Sequence, residues 1–273
     1  MFKNVSNSFG IPIVVKNLLI LNILFFLGTY VAKSSWGFNL VEWLALYYPE
    51  SEYFKPYQYI TYMFMHGDMW HIFFNMYALW MFGRVLENYW GPKRFLIYYF
   101  VTGVGAALLH TFVNWWMISR AMDAATIYLN TPSPDSFALL IRDYFSEYKI
   151  SSEFLNAWAG DPSNMMYVEQ TKSLINEMMM FKINIPTVGA SGAVFGVLLA
   201  FGMLFPNTQL MLLIPPIPLK AKYFVMIYGA IELYFAVMNQ PGDNVAHFAH
   251  LGGMLFGFFL IRYWKKKQFD RWN

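Results

Sequence analysis

The sequence contains no cysteine among its 273 residues, and only 13% of them are Asp, Glu, Lys or Arg. The first absence excludes a disulfide framework and any thiolate metal site. The second excludes an ordinary water-soluble domain, which carries about twice that share of charge. A strong excess of one charge is missing as well. The formal net charge of +3 is small and dispersed, so there is no electrostatic footprint for nucleic acid. Before the first apolar run the only basic residues are Lys3 and Lys16, and no small-residue cleavage site follows that run cleanly. The run therefore reads as retained rather than as a removed signal peptide, and without an Arg-rich presequence the expected address is a bacterial inner membrane rather than a mitochondrion.

What fills the chain is apolar sequence, 58% of it. Six segments read as membrane helices, at about 14–32, 69–86, 95–114, 189–206, 223–239 and 246–264, against a requirement of about 20 mostly apolar residues per crossing. Six crossings put both termini on one side. That side collects Lys3, Lys16, Arg84, Lys93, Arg94, Lys220, Lys222, Arg262, Lys265, Lys266, Lys267 and Arg271, whereas the other holds Lys33, Lys55, Arg120, Arg142, Lys149, Lys172 and Lys182 over longer loops. The bias predicts cytoplasmic termini. The expected class is an all-α membrane bundle forming a single domain over 1–273. A helical insertion at 117–185 is expected on its outer face. Within the insertion, Phe137, Leu140, Ile141, Tyr144, Phe145 and Tyr148 share one helical face, and Val168, Ile175, Met178 and Met179 suggest a second. Too polar to cross, it reads as a cap lying on the membrane surface.

All five histidines fall in or beside predicted spans, where ionisable groups are costly and suspect of function. His66 and His71 form one pair, His247 and His250 another, and the lone His110 reads as structural. Ser191 sits between glycines in "PTVGASGAVFG" at the start of the fourth predicted span. That span carries Gly192, Gly196 and Ala200 at four-residue spacing. The sixth carries Ala246, Gly253 and Gly257 on the face of His250. Such stripes let membrane helices approach closely, which is also their plain packing role. The stripe of His247 continues to the bulkier Leu251, Met254 and Phe258, so His250 is the better candidate for close contact. A histidine within reach makes a serine nucleophilic. The oxyanion formed by its attack needs donors. His71 and Asn75, four apart, share a face, and Ser191 opens a helix whose free N–H groups favour an anion.

These motifs resemble the rhomboid family of intramembrane serine proteases. Its G-x-S-G motif matches Gly189 to Gly192, and its A-H-x-G-G motif matches Ala249 to Gly253. Its second-span pattern matches His66, His71 and Asn75, and its G-x-x-x-E-x-x-x-G pattern matches Gly83, Glu87 and Gly91. The resemblance implies Ser191 as nucleophile, His250 as base, and an oxyanion hole from His71, Asn75 and the Ser191 N–H. His66, Gly189, Phe195 and Gly253 are its supporting positions. It implies cleavage of single-pass or polytopic membrane-protein substrates near the outer surface, with membrane lipid as the surroundings and no cofactor, metal or nucleic acid. The family's dyad lacks a carboxylate, and no Asp or Glu accompanies either motif inside the spans. Phe195 stands where many members have a tyrosine that stacks on the catalytic histidine. The first outer loop reads "KPYQYITYMF" without the Trp-Arg of some members, and the cap is longer than in compact members.

Other readings remain open at this level. The four paired histidines could ligate a metal, although no H-E-x-x-H occurs and no acidic ligand accompanies either pair in sequence. A rhomboid-like protein that binds membrane helices without cutting them, or a transporter or channel, would fit the spans. Glu232, mid-way along the fifth span, reads as a protonated or hydrogen-bonded glutamate facing the bundle, with a place on the substrate entry route, which that helix borders in rhomboids, as the alternative.

Overall fold

The computed structural model describes residues 10–211, 217–238 and 245–269. Lys3, Arg271 and the last residue of the predicted fifth span lie outside them. Helix α1 spans Ile13–Trp36, followed by the short α2, Leu40–Leu44, and α3, Gln58–Thr61, which tightens into a 3-10 turn. Helix α4, Met69–Ala78, runs through a π-helical turn at Leu79–Gly83 into α5, Arg84–Trp90. Gly91, at φ 80°, then turns the chain into α6, Pro92–Asn130. After it come α7, Pro134–Tyr144, α8, Ser152–Gly160, and α9, Met165–Ile183. The apolar α10, Ser191–Leu204, leads to a small antiparallel hairpin of β1, Gln209–Met211, and β2, Pro218–Lys220. The last two helices are α11, Ala221–Met238, and α12, His247–Phe269.

Three helices, α1, α6 and α11, are by themselves long and apolar enough to cross a membrane. Their outward residues are apolar, with Leu24, Leu27, Met226 and Val237 all more than half exposed. A soluble bundle would present polar groups there, so lipid is the outer solvent of these helices. Helix α10 is different. It has only 14 residues, and Gly192, Ala193, Val194, Gly196, Val197, Leu198, Ala200, Phe201 and Gly202 are all buried, because α10 is the central helix wrapped by protein. Its small-residue stripe makes this possible. A Cβ at Gly253 of α12 would lie 1.8 Å from the Gly192 carbonyl oxygen, so the two backbones are in direct contact.

Buried polar groups fasten the periphery. Glu87 accepts the backbone N–H groups of Val14 and Val15 at 3.0 and 2.8 Å, capping the first turn of α1 from the end of α5. Those two N–H groups have no partner within their own helix. In the loop without Trp-Arg, the fully buried Gln58 does the anchoring. Its amide nitrogen donates to the Trp43 and Tyr53 carbonyls, and its oxygen accepts from Lys55 N–H at 3.1 Å.

The cap differs from the sequence-based expectation. Helix α6 continues for 39 residues, about 58 Å, so the third predicted span and the start of the cap are one helix. The cap holds three further helices in place of two. The apolar faces do not lie open for a membrane surface. Phe137, Leu140, Ile141 and Phe145 close with Ile175, Met178 and Met179 around Trp158, against Ile118, Ala121, Ala125 and Tyr128 of α6. Short helices with matching apolar faces bury more area against one another than each would alone on a surface, and Trp158, absent from the predicted faces, fills the centre.

Two outcomes are expected. Glu87→Ala should destabilise the protein in detergent by about 2–4 kcal/mol, because two buried N–H groups lose a charged acceptor; Glu87→Gln, which keeps one acceptor oxygen, should cost less. Thermal unfolding of both variants checks this order. Phe137→Ala, with a typical core cost of about 3–5 kcal/mol, should open the cap to limited proteolysis between residues 131 and 184 while the rest of the chain stays protected.

Candidate active site

The loop that delivers Ser191 is tied down on three sides. Thr187 and Leu46 exchange backbone hydrogen bonds of 2.8 and 2.9 Å, and Gly189 N–H donates to the Tyr62 carbonyl at 3.0 Å. His110 of α6 meets Thr187 Oγ1 at 3.0 Å and Asn114 Nδ2 at 3.1 Å through Nε2, which gives this lone histidine the structural role its isolation suggested. Gly189 takes φ 131°, a conformation strained for other residues, and then α10 begins at Ser191.

Helix α12 brings His250 to the serine. Its Nε2 lies 2.8 Å from Ser191 Oγ, and its ring stacks on Phe195 with centroids 4.2 Å apart and an interplanar angle of 8°. The stacking face needs no hydroxyl, and Phe195 supplies it. His250 is buried, and Gly253, one turn on, is the residue that lets α12 come this close.

On the other side stands α4. Asp68 caps it, accepting Trp70 and His71 N–H at 2.8 and 2.9 Å, and these bonds, that of His71 foremost, hold the Asp68 carboxyl below the usual carboxylate range. Gly67 N–H makes a long 3.5 Å contact to His71 Nδ1, which leaves the proton on Nε2. The position a Cβ would take at Gly189 lies 2.8 Å from His71 Nε2 and 3.5 Å from Ser191 Oγ. The missing side chain thus leaves a space bounded by a ring N–H donor and the serine oxygen. Asn75 is buried on the same helix, and its Nδ2 has no hydrogen-bond partner among the described residues. His66 sets its ring 5.0 Å from that of His71, edge to face.

The expectation that no carboxylate accompanies the motifs is corrected. Glu232 of α11, buried, puts Oε2 at 2.8 Å from His250 Nδ1 and 2.6 Å from His247 Nδ1. The glutamate does face the bundle and is hydrogen-bonded, but its partners are the paired histidines. The sequence hid this because 15 and 18 residues separate them and they lie on two different helices. An ionised carboxylate only accepts, so both imidazoles donate Nδ1–H to it. His250 Nε2 is then left to accept the Ser191 hydroxyl proton. Ligand atoms of Glu232, His247 and His250 also lie within 4.8 Å of one another, close enough to hold a divalent cation. This is a different set from the four histidines considered on sequence, and it includes the acidic ligand they lacked.

With this geometry in place, the relatives bear on the reading. Residues 53–122 and 161–267, well over half of the chain, match the family model of the rhomboid domain. Among curated proteins, Rhomboid protein 1, mitochondrial, of Saccharomyces cerevisiae is 24% identical over 194 residues, covering 71% of this chain and 38% of that protein. The chain thus spans well under half the length of that relative. The unmatched stretch 123–160 falls within the cap, while every residue brought to Ser191 lies inside the matched segments. An integral membrane protein with this match belongs to the rhomboid family.

Proposed function

We propose that the protein is an intramembrane serine endopeptidase that cleaves transmembrane segments of other membrane proteins. The observation that carries this reading is the 2.8 Å contact between Ser191 Oγ and His250 Nε2 at the start of a central helix in an apolar bundle. Ser191 Oγ attacks the scissile carbonyl carbon while its proton passes to His250 Nε2. The carbonyl oxygen becomes an oxyanion, accepting from the Ser191 backbone N–H, His71 Nε2–H and the unpartnered Asn75 Nδ2–H. Collapse breaks the C–N bond, and His250 gives its proton to the leaving amine. A water molecule, deprotonated by His250, then hydrolyses the acyl-serine.

Six crossings are part of the same proposal: α1, the continuous run of α4 and α5, α6, α10, α11 and α12. At 14 residues α10 is about 21 Å long, shorter than the roughly 30 Å hydrocarbon core. One of its ends is therefore recessed, and Ser191 at that end can receive water from a depression while still facing the substrate helix. The described basic residues Lys16, Lys93, Arg94, Lys220, Lys222, Arg262 and Lys265 to Lys267 gather at the opposite end of the bundle, where Arg94 lies over the Trp264 ring. That end is assigned to the cytoplasm and the Ser191 end to the outer side, the periplasm in the expected bacterial inner membrane. The cap at 117–185 then sits on the outer face of a single rhomboid domain, beside the mouth of the site.

A fluorophosphonate probe should label the wild type, Ser191→Ala should abolish labelling and cleavage, and His250→Ala should lower labelling about 1000-fold or more, all with unchanged thermal stability. A chelator should leave labelling intact; cleavage by a folded Ser191→Ala variant, or its loss with chelator alone, would overturn the reading.

Asn75→Ala should cost about 100- to 1000-fold in kcat with little change in KM, since the amide is asked to act on the oxyanion and not on the bound substrate. Steady-state kinetics on a reconstituted transmembrane substrate check the split.

A further inference from the structure

Among the described residues Glu232 is the one buried carboxylate in contact with the Ser191–His250 pair, and the chemistry proposed above does not use it. It is not an isolated polar residue that happens to lie nearby. A single oxygen, Oε2, meets Nδ1 of both His247 and His250. Burying a carboxylate in an apolar bundle is costly unless it is fully partnered. Here two ring N–H donors from the first turn of α12 partner it, reached across from α11. His247 is further held by Phe235 of α11, with ring centroids 5.5 Å apart and planes 22° from parallel. The bulky stripe below His247 faces the same way, since Met254 packs against Gly229 of α11. Thus α12 presents His250 to α10 and His247 to α11, with Glu232 closing the triangle.

We infer that Glu232 is a positioning residue for catalysis, completing a Ser191–His250–Glu232 triad drawn from three helices. His250 can serve as a base only with its proton on Nδ1 and its lone pair on Nε2, facing Ser191. A carboxylate at 2.8 Å enforces that tautomer and fixes the ring about its χ angles. When the serine proton arrives on Nε2, the same carboxylate faces the new imidazolium charge and stabilises it in surroundings of low dielectric. The carboxylate itself gains no proton, and no bond to it forms or breaks. His247 shares the oxygen and orients the carboxylate from the far side. Among the described residues, His71 of α4 and His110 of α6 are further titratable groups near enough to sense charge on His250. Both are imidazoles, so neither replaces the negative charge.

The inference rests on the serine-protease reading, and the two can fail separately. Wild-type protein that does not label at Ser191 would sink that reading first. The decisive variant is Glu232→Gln in the full chain, assayed on a transmembrane substrate. Glutamine has the same shape, but its NH2 can donate to Nδ1 and trap the tautomer that cannot accept the serine proton. The expected result is a kcat lower by about 100-fold or more with KM within about threefold, by analogy with the loss when a triad carboxylate becomes an amide. Glu232→Asp, which keeps the charge on a shorter arm, should recover at least about tenfold over Glu232→Gln, because the charge is the active element. His247→Ala leaves the Glu232–His250 contact in place and should lose less than about tenfold.

A Glu232→Gln kcat within about threefold of wild type overturns the inference, as that is far below the cost of losing a triad member. So does an equal loss in Glu232→Gln and Glu232→Asp that tracks a fall in thermal stability, since it assigns Glu232 a structural role. Equal losses in Glu232→Gln and His247→Ala would assign the effect to His247. Loss of wild-type turnover on chelation would make the trio a metal site instead.

Discussion

The structure depends on one close approach. A Cβ at Gly253 of α12 would lie 1.8 Å from the Gly192 carbonyl oxygen of α10, and one at Gly192 would lie 2.5 Å from Ala106 Cβ of α6 and 3.3 Å from the Ala249 carbonyl oxygen of α12, so no side chain fits at either glycine. Dispersion between such helices requires small residues, because lipid offers no hydrophobic drive for them to associate. The consequence is chemical as well as mechanical. Ser191 precedes Gly192 and His250 precedes Gly253 by less than one turn, so the packing that joins the helices also sets the 2.8 Å serine–imidazole distance. Phe195 then holds the imidazole from one side, and Glu232 from its Nδ1 edge.

Polar groups in the bundle divide into two kinds. Glu87, Gln58 and the Tyr62 and Tyr98 hydroxyls are buried and matched by donors or acceptors: Tyr62 and Tyr98 donate to the Gly103 and Gly196 carbonyls at 2.7 and 2.8 Å. They are braces. Asn75, in contrast, buries an amide nitrogen with no hydrogen-bond partner among the described residues. An unmade bond in an apolar interior costs about 1–3 kcal/mol, and on the proposed reading the Asn75 amide recovers it when the oxyanion forms.

The cap obeys a different rule. Its core is a soluble-style cluster around Trp158, mounted on the far half of α6. Because α6 is continuous, the cap is a rigid extension of a bundle helix rather than a loop laid on a surface. Its last helix, α9, leads straight into the segment that pairs Thr187 with Leu46 and delivers Ser191. The family match breaks off over 123–160, which takes in the end of α6 with α7 and α8, and resumes before α9.

The sequence by itself determined the solvent of the protein, the helical class and the family. Those follow from local composition: scarce charge, long apolar runs and short motifs such as "GASG" and "AHLGG". It also determined the choice of His250 over His247 as the neighbour of Ser191, because the spacing of small residues marks which face of a helix can come close. Gln58 and Trp158 were not legible, since a lone glutamine in a loop and a tryptophan in a polar segment carry no periodic signal. The extent of α6 was hidden by polar residues after Asn114 that are unremarkable once the helix leaves the apolar layer. Above all, only the tertiary structure decided what Glu232 touches. Its partners lie on the next helix, and no pattern along one helix states which residues of another it will meet. That pairing is set by the packing of α11 against α12.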